Sequence, residues 1–139
     1  MLVKDVMSRR LIMVKPRESV YAAVKLMVAN NISGVVVEEN KAAAGIITMK
    51  DICRRVIVED RDVYKTVVSD VMTKPVLSVP MLMNVERAAA LMGERKVKRL
   101  VVVDEKNAAI GMVTVMDIVS NLPGLMDVMF KTWVKPQWK

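Results

Sequence analysis

An internal duplication constrains this chain more than any other feature. Asp5-Val6-Met7-Ser8 returns 65 residues later as Asp70-Val71-Met72-Thr73. At the same offset Val14, Val20, Ala23, Leu26, Met27, Val36 and Val37 find identical partners in Val79, Val85, Ala88, Leu91, Met92, Val101 and Val102. One residue is then inserted in the polar stretch Asp104-Glu105-Lys106-Asn107, and Gly45, Thr48, Asp51 and Ile52 match Gly111, Thr114, Asp117 and Ile118 at an offset of 66. These are 14 identities among 44 aligned pairs. A chain made of two copies of one motif folds as two similar units, each too small to hide its apolar face alone.

Both copies carry the same pattern. Residues 11–14 and 76–79 are short β runs, ended by Pro16 and Pro80. Ser19 and Asn84 stand at N-cap positions before helices in which Val20, Ala23, Val24, Met27 and Val28, and Val85, Ala88, Ala89, Leu91 and Met92, keep helical spacing. Two strands follow in each copy, residues 35–37 and 45–47 around the polar turn 38–41, and residues 100–103 and 110–113. A second helix opens at Thr48 or Thr114. The fold class is therefore α+β, two tandem β-α-β-β-α repeats, expected to pack sheet to sheet about a pseudo-twofold axis. The boundaries read 1–58 for the first repeat, 59–68 for a linker, 69–122 for the second repeat and 123–139 for a tail.

Composition removes several classes of function. The chain has no histidine, which excludes Ser-His-Asp and Cys-His catalysis and His-ligated metals. Its one cysteine, Cys53, excludes an intramolecular disulfide and suits a reducing cytoplasm; its place beside Ile52 predicts a buried small hydrophobe. Apolar residues make up 53% of the chain, yet no run approaches the roughly 18 residues of a membrane span. The 13 methionines fit adaptable core packing. The net charge of +7 is spread over both halves and forms no one-sided stripe, so nucleic acid is not the expected partner. Nothing pairs a nucleophile with a base, so no enzymatic activity is expected.

Two features carry chemistry. Gly45-x-x-Thr48-x-x-Asp51 and Gly111-x-x-Thr114-x-x-Asp117 sit where a strand hands over to a helix. Thr-x-x-Asp is the spacing of a capping box. The same spacing offers a helix N-terminus to an anion and a fixed carboxylate to both hydroxyls of a ribose. Arg95-Lys96-Val97-Lys98-Arg99 precedes a strand. It reads either as cations at a helix end or as a phosphate grip, Arg acting bidentately. The first repeat has Ile32-Ser33-Gly34 at that place, so the two halves differ in their hold on phosphate.

The duplicated unit resembles the CBS domain pair, or Bateman module. The resemblance rests on Asp-Val-Met at the start of each copy, on Val14-Lys15-Pro16, on the run from Val97 to Asp104 and on both Gly-x-x-Thr-x-x-Asp motifs. Two departures stand out: Val79-Pro80 replaces Val-x-Pro, and Val36 and Val101 replace a proline common in the middle strand. The resemblance implies a stand-alone regulatory module. It would bind an adenine nucleotide (AMP, ADP or ATP), or another adenosyl ligand, in crossed clefts between the repeats, and needs no cofactor. It implies one cleft of Thr114 and Asp117 with Leu11, Ile12, Ile32, Ser33 and Gly34, and another of Thr48 and Asp51 with Pro75, Val76, Leu77, Val97, Lys98 and Arg99. The second is expected to hold nucleotide more tightly, since it alone has cations at the strand start.

The module is expected to sense energy or adenosyl-ligand state and to signal to an effector protein on another chain. A homodimer is expected, sharing Ile52, Val56 and Ile57 with Ile118, Val119 and Leu122, and braced by the tail around Phe130 and Trp133. The rival readings are a nucleic-acid binder using residues 95–99 and a structural dimerisation module with empty clefts.

Overall fold

The computed structural model describes residues 1–127. The elements run α1 (Val3–Val6), β1 (Met13–Val14), α2 (Val20–Asn30), β2 (Gly34–Glu39), β3 (Ala42–Thr48), α3 (Met49–Ile52), a π-helical turn (Cys53–Ile57), β4 (Ser78–Pro80), α4 (Val85–Arg95), β5 (Arg99–Val103), β6 (Ala109–Thr114) and α5 (Val115–Asn121). Turns of 3-10 helix lie at Val68–Asp70 and Pro123–Leu125. The expectations placed on the tail around Phe130 and Trp133 lie outside the described residues.

The chain forms two compact units. One is Leu11–Val76; the other combines Met1–Arg10 with the described residues from Leu77 onward. Each holds one three-stranded sheet, in the order β1-β2-β3 or β4-β5-β6. In both, the first two strands are parallel and bridged by a helix, and the last two form an antiparallel hairpin.

In the unit Leu11–Val76, the Ser19 hydroxyl accepts the Ala22 N–H at 3.1 Å and starts α2. Asn31, at φ 52°, ends it in the left-handed conformation. Asn40 and Lys41, at φ 51° and 65°, make the two-residue β2–β3 turn, whose twist matches the strands. Val35 and Val37, two apart on β2, face a core of Val14, Val20, Ala23, Met27, Ile47, Ile52 and Val56. Val68, at the end of the linker, and Val71, at the opening of the second repeat, join this core.

The other unit repeats the plan with Val79, Val85, Ala88, Met92, Leu100, Val102, Val113 and Ile118, joined by Val3 and Val6 of α1. Each unit thus contains the opening segment of the opposite repeat. Ser8 bridges to Met112 on β6, and Thr73 bridges to Ile46 on β3. The motif glycines permit this docking. A Cβ on Gly111 would meet the Ser8 carbonyl oxygen at 2.5 Å, and one on Gly45 would meet the Met72 sulfur at 2.5 Å. The inserted residue of the second repeat is absorbed in the β5–β6 turn, where Asp104 Oδ1 accepts the N–H groups of Lys106 and Ala108, both at 2.9 Å.

Several local expectations are corrected. The β runs shrink to Met13–Val14 and Ser78–Pro80. Pro80 is the last residue of β4, an edge strand, where its missing N–H costs no ladder bond. Glu38 and Glu39 extend β2 rather than forming the turn. Asn84 precedes α4 but its side chain makes no capping bond. Cys53 is exposed, because the π-helical turn places it away from the core. Of the residues expected on a shared surface, Ile52, Val56 and Ile118 are buried in their own units, and Val119 and Leu122 pack against their own core. Only Ile57 is exposed.

Candidate functional site

Both Gly-x-x-Thr-x-x-Asp motifs fold as complete capping boxes. At the start of α3, Thr48 Oγ1 accepts the Asp51 N–H at 3.2 Å, while Asp51 Oδ2 accepts from Thr48 N–H at 3.0 Å and Thr48 O–H at 3.1 Å. At the start of α5, Thr114 Oγ1 accepts the Asp117 N–H at 3.2 Å, and Asp117 Oδ2 accepts from Thr114 N–H at 2.8 Å and O–H at 2.9 Å. The spacing read in the sequence is therefore structural in both copies. One carboxylate oxygen is fixed in each, and the other decides what more the motif can do.

That second oxygen differs between the copies. Asp51 Oδ1 accepts the Thr73 hydroxyl at 2.9 Å and lies 3.9 Å from the Arg55 guanidinium. Arg55 also donates to the carbonyls of Val71 and Met72, at 3.0 Å each. Asp51 is 6% exposed and serves as a clamp on the opening segment of the second repeat. Asp117 lacks this arrangement. The counterpart of Arg55 is Asn121, which donates to the Asp117 backbone carbonyl at 2.7 Å. The counterpart of Thr73 is Ser8, whose hydroxyl accepts the Arg10 N–H at 3.3 Å. Among the described residues Asp117 Oδ1 has no hydrogen-bond partner, and the residue is half-buried. Arg55 and Thr73 carried no functional reading in the sequence. The signal available was their mismatch with Asn121 and Ser8 across the duplication.

The strand starts lie beside these motifs. Gly34 pairs with Thr48 and Arg99 pairs with Thr114. The N–H following each threonine closes the junction, Met49 to the Ser33 carbonyl and Val115 to the Lys98 carbonyl, both at 3.0 Å. Lys98 and Arg99 thus belong to the same unit as Thr114 and Asp117, while the cleft implied by the resemblance draws on them from the opposite repeat together with Thr48 and Asp51. Leu77 and Val97 belong to the same unit and pack on its core. The other unit gathers Leu11, Ile12, Ile32, Ser33, Gly34, Pro75 and Val76 with Thr48 and Asp51. There the Ile12 carbonyl accepts the Val36 N–H at 3.2 Å, and Ile12 and Ile32 pack on the core.

Among the described residues no group of three or more His, Cys, Asp or Glu side chains is placed to hold a metal, and no helix is long and apolar enough to cross a membrane. Two β-α-β-β-α units, each with a threonine-capped carboxylate at its strand-to-helix junction, define a duplicated α+β fold. A family model described as CBS domain matches residues 3–58 and 68–124, and the chain belongs to that family as a tandem pair. It is similar to the CBS domain-containing protein YhcV of Bacillus subtilis, 33% identical over 119 residues that cover 86% of this chain and 84% of that protein. It spans about half the length of two further curated relatives, 52% and 48%.

Among solved structures it is similar to the conserved CBS domain protein TA0289 of unknown function from Thermoplasma acidophilum. The TM-score is 0.84 at 27% identity, covering 95% of this chain and 73% of that one. It is also similar to the CBS domain pair of protein MJ0100, solved with 5′-methylthioadenosine and S-adenosyl-L-methionine. There the TM-score is 0.78 at 26% identity, covering 87% of this chain and 98% of that one.

Proposed function

We propose that this CBS pair binds an adenosine-containing ligand through the second-repeat motif and reports its occupancy to a partner protein. The observation that carries the reading is the asymmetry of the two aspartates. Among the described residues Asp117 keeps an unclaimed carboxylate oxygen beside a fixed one, an arrangement that can accept the hydroxyls of a ribose. Asp51 spends its second oxygen on Thr73. Lys98 and Arg99, on the strand start next to Thr114, supply cations for a 5′-phosphate or another anionic substituent. The adenosyl ligands held by the MJ0100 pair support the class of ligand.

Signalling needs a partner, and a second copy of the chain is part of the reading. Ile57 and Val58, 64% and 76% exposed, are the apolar side chains available for it near the end of the first repeat.

A thermal-shift screen with AMP, ADP, ATP, 5′-methylthioadenosine and S-adenosylmethionine tests the ligand. Ligand at 100 times its Kd adds about 2.7 kcal/mol of stability. Asp117→Asn is expected to abolish the shift, because the amide nitrogen cannot accept a ribose hydroxyl. A shift that survives Asp117→Asn removes the reading. Light scattering of the free and ligand-bound chain checks the second copy.

A further inference from the structure

The turn after β1 and the turn after β4 share one backbone. In the first, the Glu18 N–H donates to the Lys15 carbonyl at 3.1 Å, Ser69 N–H to the Pro16 carbonyl at 3.0 Å, and Val68 N–H to the Glu18 carbonyl at 2.8 Å. At an offset of 65, Met83 donates to Pro80 at 3.0 Å, Lys4 to Met81 at 3.0 Å, and Val3 to Met83 at 2.8 Å. The side chains are not shared: Lys15-Pro16-Arg17 faces Pro80-Met81-Leu82 across the duplication. The molecule therefore contains its own control. This backbone is built equally well without Lys15 and Arg17, so folding does not require those cations.

Around the first turn lies a hollow of about 480 Å³, lined by Lys15, Arg17, Glu39, Ser69 and Lys74 among others. Its lining runs from Glu39, at the far end of β2 from the Gly34–Thr48 pair, to Lys74, which follows the Thr73 bonded to Asp51. Glu39 closes β2, whereas Gly34, five residues earlier, pairs with Thr48. At about 3.3 Å per residue the two places are about 17 Å apart along the strand. Of the three cations, Lys15 is paired with Glu38 at 2.9 Å. Arg17 and Lys74 have no ion pair or hydrogen bond among the described residues. The turn holds its shape without a ligand, since the Glu18 carboxylate also accepts the Lys15 N–H at 2.6 Å. With Lys15 paired to Glu38 and Glu39 also on the lining, the charge left for an anion is that of Arg17 and Lys74, brought together from two segments of the chain.

We propose that this hollow is a second ligand site, taking a phosphate-bearing small molecule between Arg17 and Lys74. Its volume falls in the range of small-molecule sites, about 300–1,000 Å³, and exceeds what one phosphate needs. Guanidinium and ammonium together suit an oligophosphate or a phosphate ester, Arg17 offering a planar fork and Lys74 a point charge. Ser69 adds a hydroxyl to the lining. The counterpart turn keeps cations at the places of Ser69 and Lys74, namely Lys4 and Arg9, but has Leu82 in place of Arg17. Its affinity for phosphate is accordingly lower.

Calorimetric titration of the full chain with sodium tripolyphosphate, at about 50 mM salt where screening is weak, tests the site. A saturable event is expected, weakened at least about tenfold by Arg17→Ala with Lys74→Ala, both on the surface, while the melting temperature of the unliganded protein stays the same. Arg9→Ala and the pair Lys98→Ala, Arg99→Ala are expected to leave a saturable event of wild-type affinity. Asp117→Asn is expected to leave it intact as well, which separates this site from the adenosyl reading. Absence of a saturable event, an equal loss in Arg9→Ala, or a loss confined to the Lys98/Arg99 variant would each overturn the proposal.

Discussion

Removing the two motif carboxylates in turn separates clamp from ligand group. Asp51→Ala deletes acceptors for the Thr48 N–H, the Thr48 hydroxyl and the Thr73 hydroxyl, at a residue only 6% exposed. Loss of the carboxylate half of the capping box, about one net hydrogen bond, costs about 1 kcal/mol. Loss of a partly buried hydrogen bond to a charged acceptor costs about 1.5–3 kcal/mol. The Arg55 contact adds little, since Arg55 is 43% exposed and 3.9 Å away. The expected total is about 3 kcal/mol. Asp117→Ala removes the same carboxylate half from a half-buried site with no second partner among the described residues, and about 1 kcal/mol is expected. For a chain of this length each kcal/mol moves Tm by about 4 °C, so the variants should melt about 12 °C and 4 °C below wild type. Urea unfolding followed by far-UV circular dichroism measures the difference. Equal losses, or a larger loss for Asp117→Ala, would refute the assignment of Asp51 as the clamp. A double-mutant cycle of Asp51→Asn with Thr73→Val should return a coupling of about 1 kcal/mol or more, since the two side chains touch.

Three further outcomes follow from the same geometry. Gly111→Ala should destabilise more than Gly45→Ala, because its Cβ would press at 2.5 Å on a backbone oxygen of Ser8, whereas the nearest atom to the Gly45 Cβ is the flexible Met72 sulfur; a few kcal/mol against about 1 is the scale, read by chemical denaturation. Met27→Ala, at a residue with no exposed surface, should cost about 2–5 kcal/mol. The Lys15 hydrogen bond holds the Glu38 carboxyl below its usual pKa of 4.5. Its contribution to stability is therefore fully present above that value and lost as pH falls through the lower folded-state pKa. Glu38→Gln should differ from wild type at neutral pH and converge with it in acid, in melting curves taken across that range.

Local signals made the elements and the cap legible in the sequence. Ser19 before an apolar 3.6-residue period, a three-valine run and Thr-x-x-Asp each act over a few residues, where hydrogen bonds and side-chain direction follow from spacing alone. Errors arose where distant chain intervened. Cys53 neighbours a buried Ile52, yet the change from α to π winding turns it outward. The shared-surface expectation failed for Val56 because that residue fills the core of its own unit. The difference between Asp51 and Asp117 required Thr73, 22 residues from Asp51 in sequence.

The sequence by itself determined that there are two copies of one α+β unit, where their strands and helices lie, and that each strand-to-helix junction is closed by a threonine and an aspartate. Those features depend on periodicity and on contacts three or four residues apart. Tertiary structure decided how the copies share their parts. Val3 and Val6 fill the core built by β4, β5 and β6, while Val68 and Val71 fill the other. Apolar burial is non-directional, so an opening segment with one valine pattern fits either sheet equally well on paper. Close approach at Gly45 and Gly111, and one set of hydrogen bonds from Thr73 and Arg55, select the pairing. The same contacts occupy the second oxygen of Asp51, while among the described residues none occupies that of Asp117.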